Sequence, residues 1–419
     1  MKRLSFLATA LVGLSMLTSC IKDKCTQTVT YMKDIPVYRS YEEIRQPIKT
    51  EAARTLQNPG KIYLYADYVL INELNEGVHV IDNSDPANPQ PISFIKIAGN
   101  VDIAMKGSVL YADNYTDLLA IDMSNPNSVS VLKRVENIFP ILGVNPENSE
   151  EVLVRYDQEE VTEELACGEV NNNSWAWSRE DITALNSTAA ATTGAGRSTG
   201  LGGSMARFAI NGDYLYTVDN QDLHVLSILR MENPTEVNRV RLRIGTETLF
   251  PYEDKLFVGG NTGMEIYDCV DPTNPVYLSR FEHAFACDPV FVDGNFAYIT
   301  LRAGNLCRQA WNQLQVVDIT SITQPTLVSS YSMENPHGLS VHDDVLYLCE
   351  GDFGLKTFDV TDKLNINQNL LSQLDTKAYD VIAVPRTDHI LVVGDDGFYQ
   401  YDTGNPSALQ LISKIEVNK

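Results

Sequence analysis

The chain alternates short apolar runs with tight polar turns, and one such unit recurs. In "GVHVIDNSDPANP", residues 77–89, the apolar-rich run Val78-His79-Val80-Ile81 ends at Asp82, and Pro86 and Pro89 then forbid its continuation as a strand. The same punctuation returns in "DLLAIDMSNPN", "DLHVLSILRMENP", "GMEIYDCVDPTNP", "QLQVVDITSITQP", "GLKTFDVTDKLN" and "GFYQYDTGNPS". Aligned on the residue that closes the run, the seven copies stand at Asp82, Asp122, Ser227, Asp268, Asp318, Asp359 and Asp402, at intervals of 40, 105, 41, 50, 41 and 43 residues. A period near 41 residues with strand-and-turn content marks a repeat architecture.

Each unit divides into four extended pieces. In the sixth copy these are "GLSVH", "VLYLCE", "GLKTFDV" and "NLLSQL"; in the fifth they are "PVFVD", "FAYITLR", "LQVVDIT" and "TLVSSY". Four strands joined by hairpins make a small antiparallel sheet whose two apolar faces cannot be buried alone. Radial packing of several such sheets buries both faces and leaves only short edges. The pattern therefore predicts an all-β, seven-bladed β-propeller of four-stranded antiparallel blades. The repeating Asp is expected to cap the turn after the third strand, with the prolines fixing φ at the bend.

The strand-turn sequence G-[VLM]-x-[VI]-x-D-x-x-[DN]-P-x-x-P resembles the LVIVD repeat of bacterial surface β-propellers, over roughly residues 58–419, with Ser227 replacing the Asp in the third copy. "GKIYLYADYVLINELNEGVHVIDNSDPANP" and "CDPVFVDGNFAYITL" are similar to the version carried by lipoproteins of gut and environmental Bacteroidetes. The resemblance implies a fold and no reaction, because the repeat residues make the fold.

The 105-residue interval exceeds the period by enough to hide an eighth blade, yet residues 136–205 carry no copy of the motif. They hold an acidic stretch, "NPENSEEVLVRYDQEEVTEEL", then "SWAWS", then "NSTAAATTGAGRSTGLGGS", which reads as a flexible small-residue linker. They are expected to form an insertion between blades 2 and 3. Residues 20–57 precede the propeller as a tether, with "YMKDIPVYRSYEEIR" a candidate extra strand and helical turn.

Residues 1–19 read as an address: Lys2 and Arg3 lead an apolar core from Leu4 to Leu17 too short to span a membrane as a mature helix. Leu17-Thr18-Ser19-Cys20 resembles the lipobox of bacterial lipoproteins, which implies lipidation (palmitate among the acyl groups) at Cys20 and a membrane tether without a transmembrane helix. No Asp directly follows Cys20, so the outer membrane is expected over the inner, and "IKDK" is a partial version of an acidic surface-export signal. The formal net charge of −23 excludes nucleic acid as a partner and permits cations or basic proteins. Of the remaining cysteines, Cys25, Cys167, Cys269, Cys287, Cys307 and Cys349, none has C-x-x-C spacing. Cys269 and Cys349 lie within strand-like runs and are expected as buried thiols. A hairpin about Gly294-Asn295 would bring Cys287 near Cys307, a candidate disulfide pinning the loop "RAGNLCRQAWNQ" with Arg302, Arg308 and Trp311.

Two sets of residues fall at one mouth of the predicted channel. The second strands end in Glu73, Asp113, Asp219, Gly260, Arg302, Glu350 and Asp395, a near-ring of carboxylates that either serves the following turns or faces a cation. Asp113 and Asp117 are the most Ca²⁺-like pair, without the full spacing of a calcium loop. The first strands open with Asp102, Arg207, Asp288, His337 and Asp380, and charges this near the axis call for a water-filled mouth or a bound partner. His337 beside carboxylates also fits an acid–base site, although a hydrogen-bonded turn histidine fits as well. No Ser-His-Asp order, H-E-x-x-H, Walker loop or G-x-G-x-x-G is present. The reading is a non-enzymatic, lipid-anchored envelope module that binds an envelope protein or a glycan, without a cofactor. Its rivals are a glycan hydrolase or lyase at the mouth and an accessory subunit of an outer-membrane complex.

Overall fold

A computed structural model describes residues 26–166, 201–219, 221–243, 245–283, 289–302 and 311–418. Nearly every described element is a β-strand, and the strands form eight sheets. Seven of these contain a four-stranded antiparallel meander, each strand paired with its sequence neighbour; the eighth has three strands. Numbered in chain order, the meanders begin at Pro59–Tyr65, Ile103–Lys106, Phe208–Asn211, Thr246–Tyr252, Val290–Asp293, Leu339–His342 and Ala378–Ala383. These first strands neighbour one another in sequence order, and the last returns to the first. Facing sheets bury side chains such as Tyr111, Tyr216, Tyr267 and Tyr298, all at most 1% exposed.

The repeat motif does the same structural work in each sheet. In all seven, a β-bulge interrupts the third-to-fourth strand pairing one or two residues before the aligned Asp or Ser. A bulge adds local twist, which suits sheets that must fan about an axis. After it, Oδ1 of Asp82, Asp122, Asp268, Asp318, Asp359 and Asp402 accepts the N–H two residues on, at 2.7–3.0 Å. The carboxyls of Asp318 and Asp359, held by the Thr320 and Thr361 hydroxyls and N–H groups, and those of Asp82 and Asp122, held by the Ser84 and Ser124 N–H and hydroxyl groups, lie below the usual carboxylate range. Ser227 caps no such turn, yet the next N–H, that of Ile228, bonds back to the Asp213 carbonyl at 2.8 Å, as Met123 does to Ser108 at 2.7 Å.

The same turns join the sheets. The hydroxyl of Ser93, in the fourth strand of the first sheet, donates to the Pro126 carbonyl in the turn of the second (2.6 Å), and Ser279 of the fourth sheet donates to Ile322 of the fifth (2.6 Å). Ser413 of the seventh sheet donates to Pro86 of the first at 2.7 Å, so the last junction repeats these two. Closure needs no borrowed strand. It is reinforced by Gln400 and Asn83, whose amides exchange hydrogen bonds at 2.7 and 3.0 Å, and by a parallel bridge from Leu56 to Val417.

The segments read from the sequence as tether and insertion contribute to the first sheet, which has six strands. Lys49–Ala52 pairs with the outer strand Gln90–Lys96, and Leu201–Gly202 pairs with the inner strand at Tyr63 and Leu64. The linker reading of residues 186–204 is therefore corrected at its end: residues 202–206 are buried rather than flexible. The acidic stretch holds the strand Glu151–Ala166, in a sheet with Thr26–Ser40 and Gly143–Val144. Ser40 caps the single helical turn Tyr41–Ile44 through a capping box with Glu43. The chain divides into two units. The larger, residues 36–155 and 178–419, contains all seven meanders; in the smaller, residues 1–35 and 156–177, the strand portions 26–35 and 156–166 are bridged by the Thr30 and Thr162 hydroxyls at 3.0 Å. Among the described residues no helix is long and apolar enough to cross a membrane.

Candidate functional site at the axis

The polar residues nearest the axis lie on or just before the first strands. Lys61, within the first strand of the first sheet, is 2% exposed, and its Nζ meets Asp102 Oδ2 at 2.9 Å. The sequence reading missed Lys61 because it sits inside an apolar run; "GKIYL" places it on the alternate face, which is the signal that was available. Asp102 Oδ2 also accepts the Arg207 backbone N–H (2.6 Å), and Oδ1 accepts from Ile103 (2.8 Å). Arg207 turns its guanidinium to the Val218 carbonyl at 3.1 Å. Burial depresses the Lys61 pKa against the opposing pull of Asp102.

Residues 201–206 cross this cluster. Leu201–Gly202 adds to the inner edge of the first sheet, Ser204 Oγ accepts the Leu339 N–H of the sixth (2.8 Å), and the Ala206 carbonyl accepts the Leu249 N–H of the fourth (2.7 Å). Gly203 lies against the Asp380 carboxylate of the seventh sheet, where a Cβ would collide with both oxygens. A segment that meets the innermost strands of four sheets occupies the axis itself. The sequence called for a water-filled mouth or a bound partner here; at this level the chain itself covers the charges.

The predicted residues fall into three groups. Asp102, Arg207 and Asp380 come together around Lys61 and residues 203–207. His337 and Arg302 form a second pair: Arg302 Nη1 stands 3.3 Å from His337 Nδ1, and burial together with that guanidinium holds the imidazole pKa well below its ordinary value. The His337 backbone is fixed by Cys349 (N–H to O, 2.8 Å) and Thr300 (Oγ1 to His337 O, 2.8 Å), and its ring packs on Tyr379 with centroids 4.9 Å apart. Asp288, Arg308, Cys287 and Cys307 lie outside the described residues, as do Cys20 and the signal segment. Cys269 and Cys349 are buried free thiols.

The carboxylates at the second-strand ends are occupied within their own sheets. Glu73 accepts from the backbone of Gln57 and Asn58 and pairs with His79 Nε2 at 2.7 Å. Asp113 Oδ1 accepts from Val101 (2.7 Å), Asp102 (2.9 Å) and Asn100 Nδ2 (2.7 Å), and burial lifts its pKa to about 6 despite them. Asp219 takes Gln221 and Asp222 N–H groups and His224 Nε2 at 3.1 Å. Glu350 takes the Glu334 N–H (2.6 Å) and an ion pair from Lys356. Asp117 is held by Arg45 Nε and Arg134 Nη1, both at 2.9 Å, and by the Asn137 N–H. Asp113 Oδ1 and both Asp117 oxygens are engaged in this way, and no group of three metal-ligating side chains occurs among the described residues.

The LVIVD repeat matches residues 99–136, 202–241 and 286–333 of the chain. No curated protein matches it by sequence. Among solved structures it is similar to a periplasmic gluconolactonase of Pseudomonas aeruginosa, at TM-score 0.54 and 10% identity over 86% of this chain and 96% of that one. A functionally unknown protein of Desulfotomaculum acetoxidans is similar at TM-score 0.50 and 10% identity, over 85% and 95%. BamB of Moraxella catarrhalis is similar at TM-score 0.48 and 7% identity, over 88% and 96%. At such identities the likeness speaks for the fold alone: the chain is a β-propeller that carries LVIVD repeats.

Proposed function

We propose that the chain is a seven-bladed propeller, lipid-anchored at Cys20 in the cell envelope and on the outer membrane, that acts as a binding module without turnover. The observation that carries this reading is the occupation of the axis: Lys61, Asp102 and the Arg207 backbone are committed to one another, and Gly203 covers the Asp380 carboxyl. With residues 203–206 at the axis, the propeller offers its loops as a recognition surface, and an envelope protein or glycan is the ligand class proposed for them. A hydrolase or lyase acting through His337 and Asp380 would first have to clear the axis. The test is thermal unfolding of the detergent-solubilised full chain against a panel of envelope glycans, with turnover of each glycan followed in parallel. A ligand-dependent rise in Tm without turnover supports the module; turnover abolished by His337→Ala in a folded protein overturns it. Radiolabelled palmitate incorporation, lost in Cys20→Ala, tests the anchor.

A further inference from the structure

The Asp380 carboxyl is covered directly by Gly203 of the segment 201–206. Asp380 is 3% exposed, and its carboxyl is wedged between Gly203 and Gly338, with no room for a side chain at either. Oδ1 accepts the Val381 N–H at 3.0 Å. Oδ2 has no hydrogen-bond partner, and the Ser204 N–H faces the carboxyl without closing a well-formed bond to it. A buried, half-satisfied carboxyl is far cheaper to hold as the neutral acid than as the anion. When the covering segment is displaced, water reaches both oxygens and the anion is no longer penalised.

We propose that residues 201–206 form a proton-controlled plug of the axial channel, seated while Asp380 is protonated and loosened when Asp380 ionises. Among the described residues the seating contacts include one two-residue strand pairing, the Ser204–Leu339 and Ala206–Leu249 hydrogen bonds, backbone packing on Asp380, and the buried side chains of Met205 and Ala206. The charged and titratable groups around the carboxyl come from every neighbouring strand. Lys61 favours the anion, whereas Asp102 disfavours it; the Cys349 thiol, whose pKa burial raises first and the Asp380 charge second, lies within its field. His337, from the turn before the sixth sheet, stays neutral beside Arg302 and adds no opposing charge in the same range. The net result places the Asp380 pKa at about 7, with burial the largest cause.

By linkage, the seated state holds the proton up to about pH 7 and the displaced state releases it near the ordinary carboxylate range, so seating weakens as pH rises between those limits. Between pH 6 and pH 8.5 the seating equilibrium should fall about tenfold. Amide hydrogen exchange of the full chain, corrected for the intrinsic rate at each pH, reads this directly. Protection of the 204–206 amides is expected to drop about tenfold in wild type between those pH values, while first-strand amides such as Val341 and Ile382 stay unchanged. In Asp380→Asn, which carries a permanent neutral isostere, the drop should vanish. Equal wild-type protection at both pH values overturns the proposal without recourse to the variant, and so does an undiminished drop in a folded Asp380→Asn protein.

Discussion

Replacing Lys61 by Met deletes one half of the ion pair with Asp102 while filling nearly the same volume. Both side chains are at most 3% exposed, so screening by solvent does little to soften the loss. Removing one partner of a buried pair costs about 3–5 kcal/mol when the other charge is left bare. Asp102 would not be bare, because the Arg207 and Ile103 N–H groups still reach its two oxygens at 2.6 and 2.8 Å. We therefore expect Lys61→Met to destabilise by about 2–3 kcal/mol, just below that range. Urea unfolding at pH 7 with an unchanged m-value is the assay. Asp102→Asn should cost a comparable amount, and the Lys61→Met/Asp102→Asn double variant should recover about 1–2 kcal/mol of the sum, since the pair would then be absent rather than broken. Additive single effects, or a Lys61→Met loss below about 0.5 kcal/mol, would refute the claim that this pair ties the second sheet to the first at the axis.

Asp380→Asn should leave stability unchanged near pH 4 and raise it by up to ~4 kcal/mol at pH 8, measured by urea titration at each pH, because the native state otherwise holds a proton that neutral solvent would remove. Gly203→Ala should destabilise by about 1–3 kcal/mol and abolish protection of the 204–206 amides, as the added methyl meets the Asp380 carboxylate. Ser413→Ala should cost about 1 kcal/mol in urea by opening the junction between the seventh and first sheets, and Ser93→Ala should match it if all junctions are equivalent. EDTA should leave Tm unmoved; a shift reversed by Ca²⁺ would mean that Asp113 or Asp117 gives up its present N–H or guanidinium partners for a metal.

The architecture was legible because it is written seven times: bulge, Asp cap and proline turn are local devices, and local devices leave local signatures. The plug was not legible for the opposite reason. "GLGGSMAR" is small and polar enough to read as linker, and nothing in its composition says that Gly203 must lie against a carboxylate contributed some 180 residues later. Lys61 was hidden in the same way, a single charge inside an apolar strand whose partner belongs to the next sheet.

The ring of carboxylates at the second-strand ends carries the more general lesson. Glu73 is followed by His79, Asp219 by His224 and Glu350 by Lys356, each base five or six residues after its acid and each contacting it across the turn between the second and third strands. An acid ending one strand and a base near the start of the next must meet, because the hairpin fixes their register. In the fourth sheet the arrangement lapses. Gly260 replaces the acid, Glu265 stands where the base would be, and its carboxylate turns to the Tyr267 hydroxyl at 2.7 Å. Charges that recur at equivalent positions of a repeat are therefore first candidates for pairing within the repeat. The residues worth suspecting of function are those that break the period, and here they include Arg302, at the second-strand end of the fifth sheet, and His337, just before the first strand of the sixth.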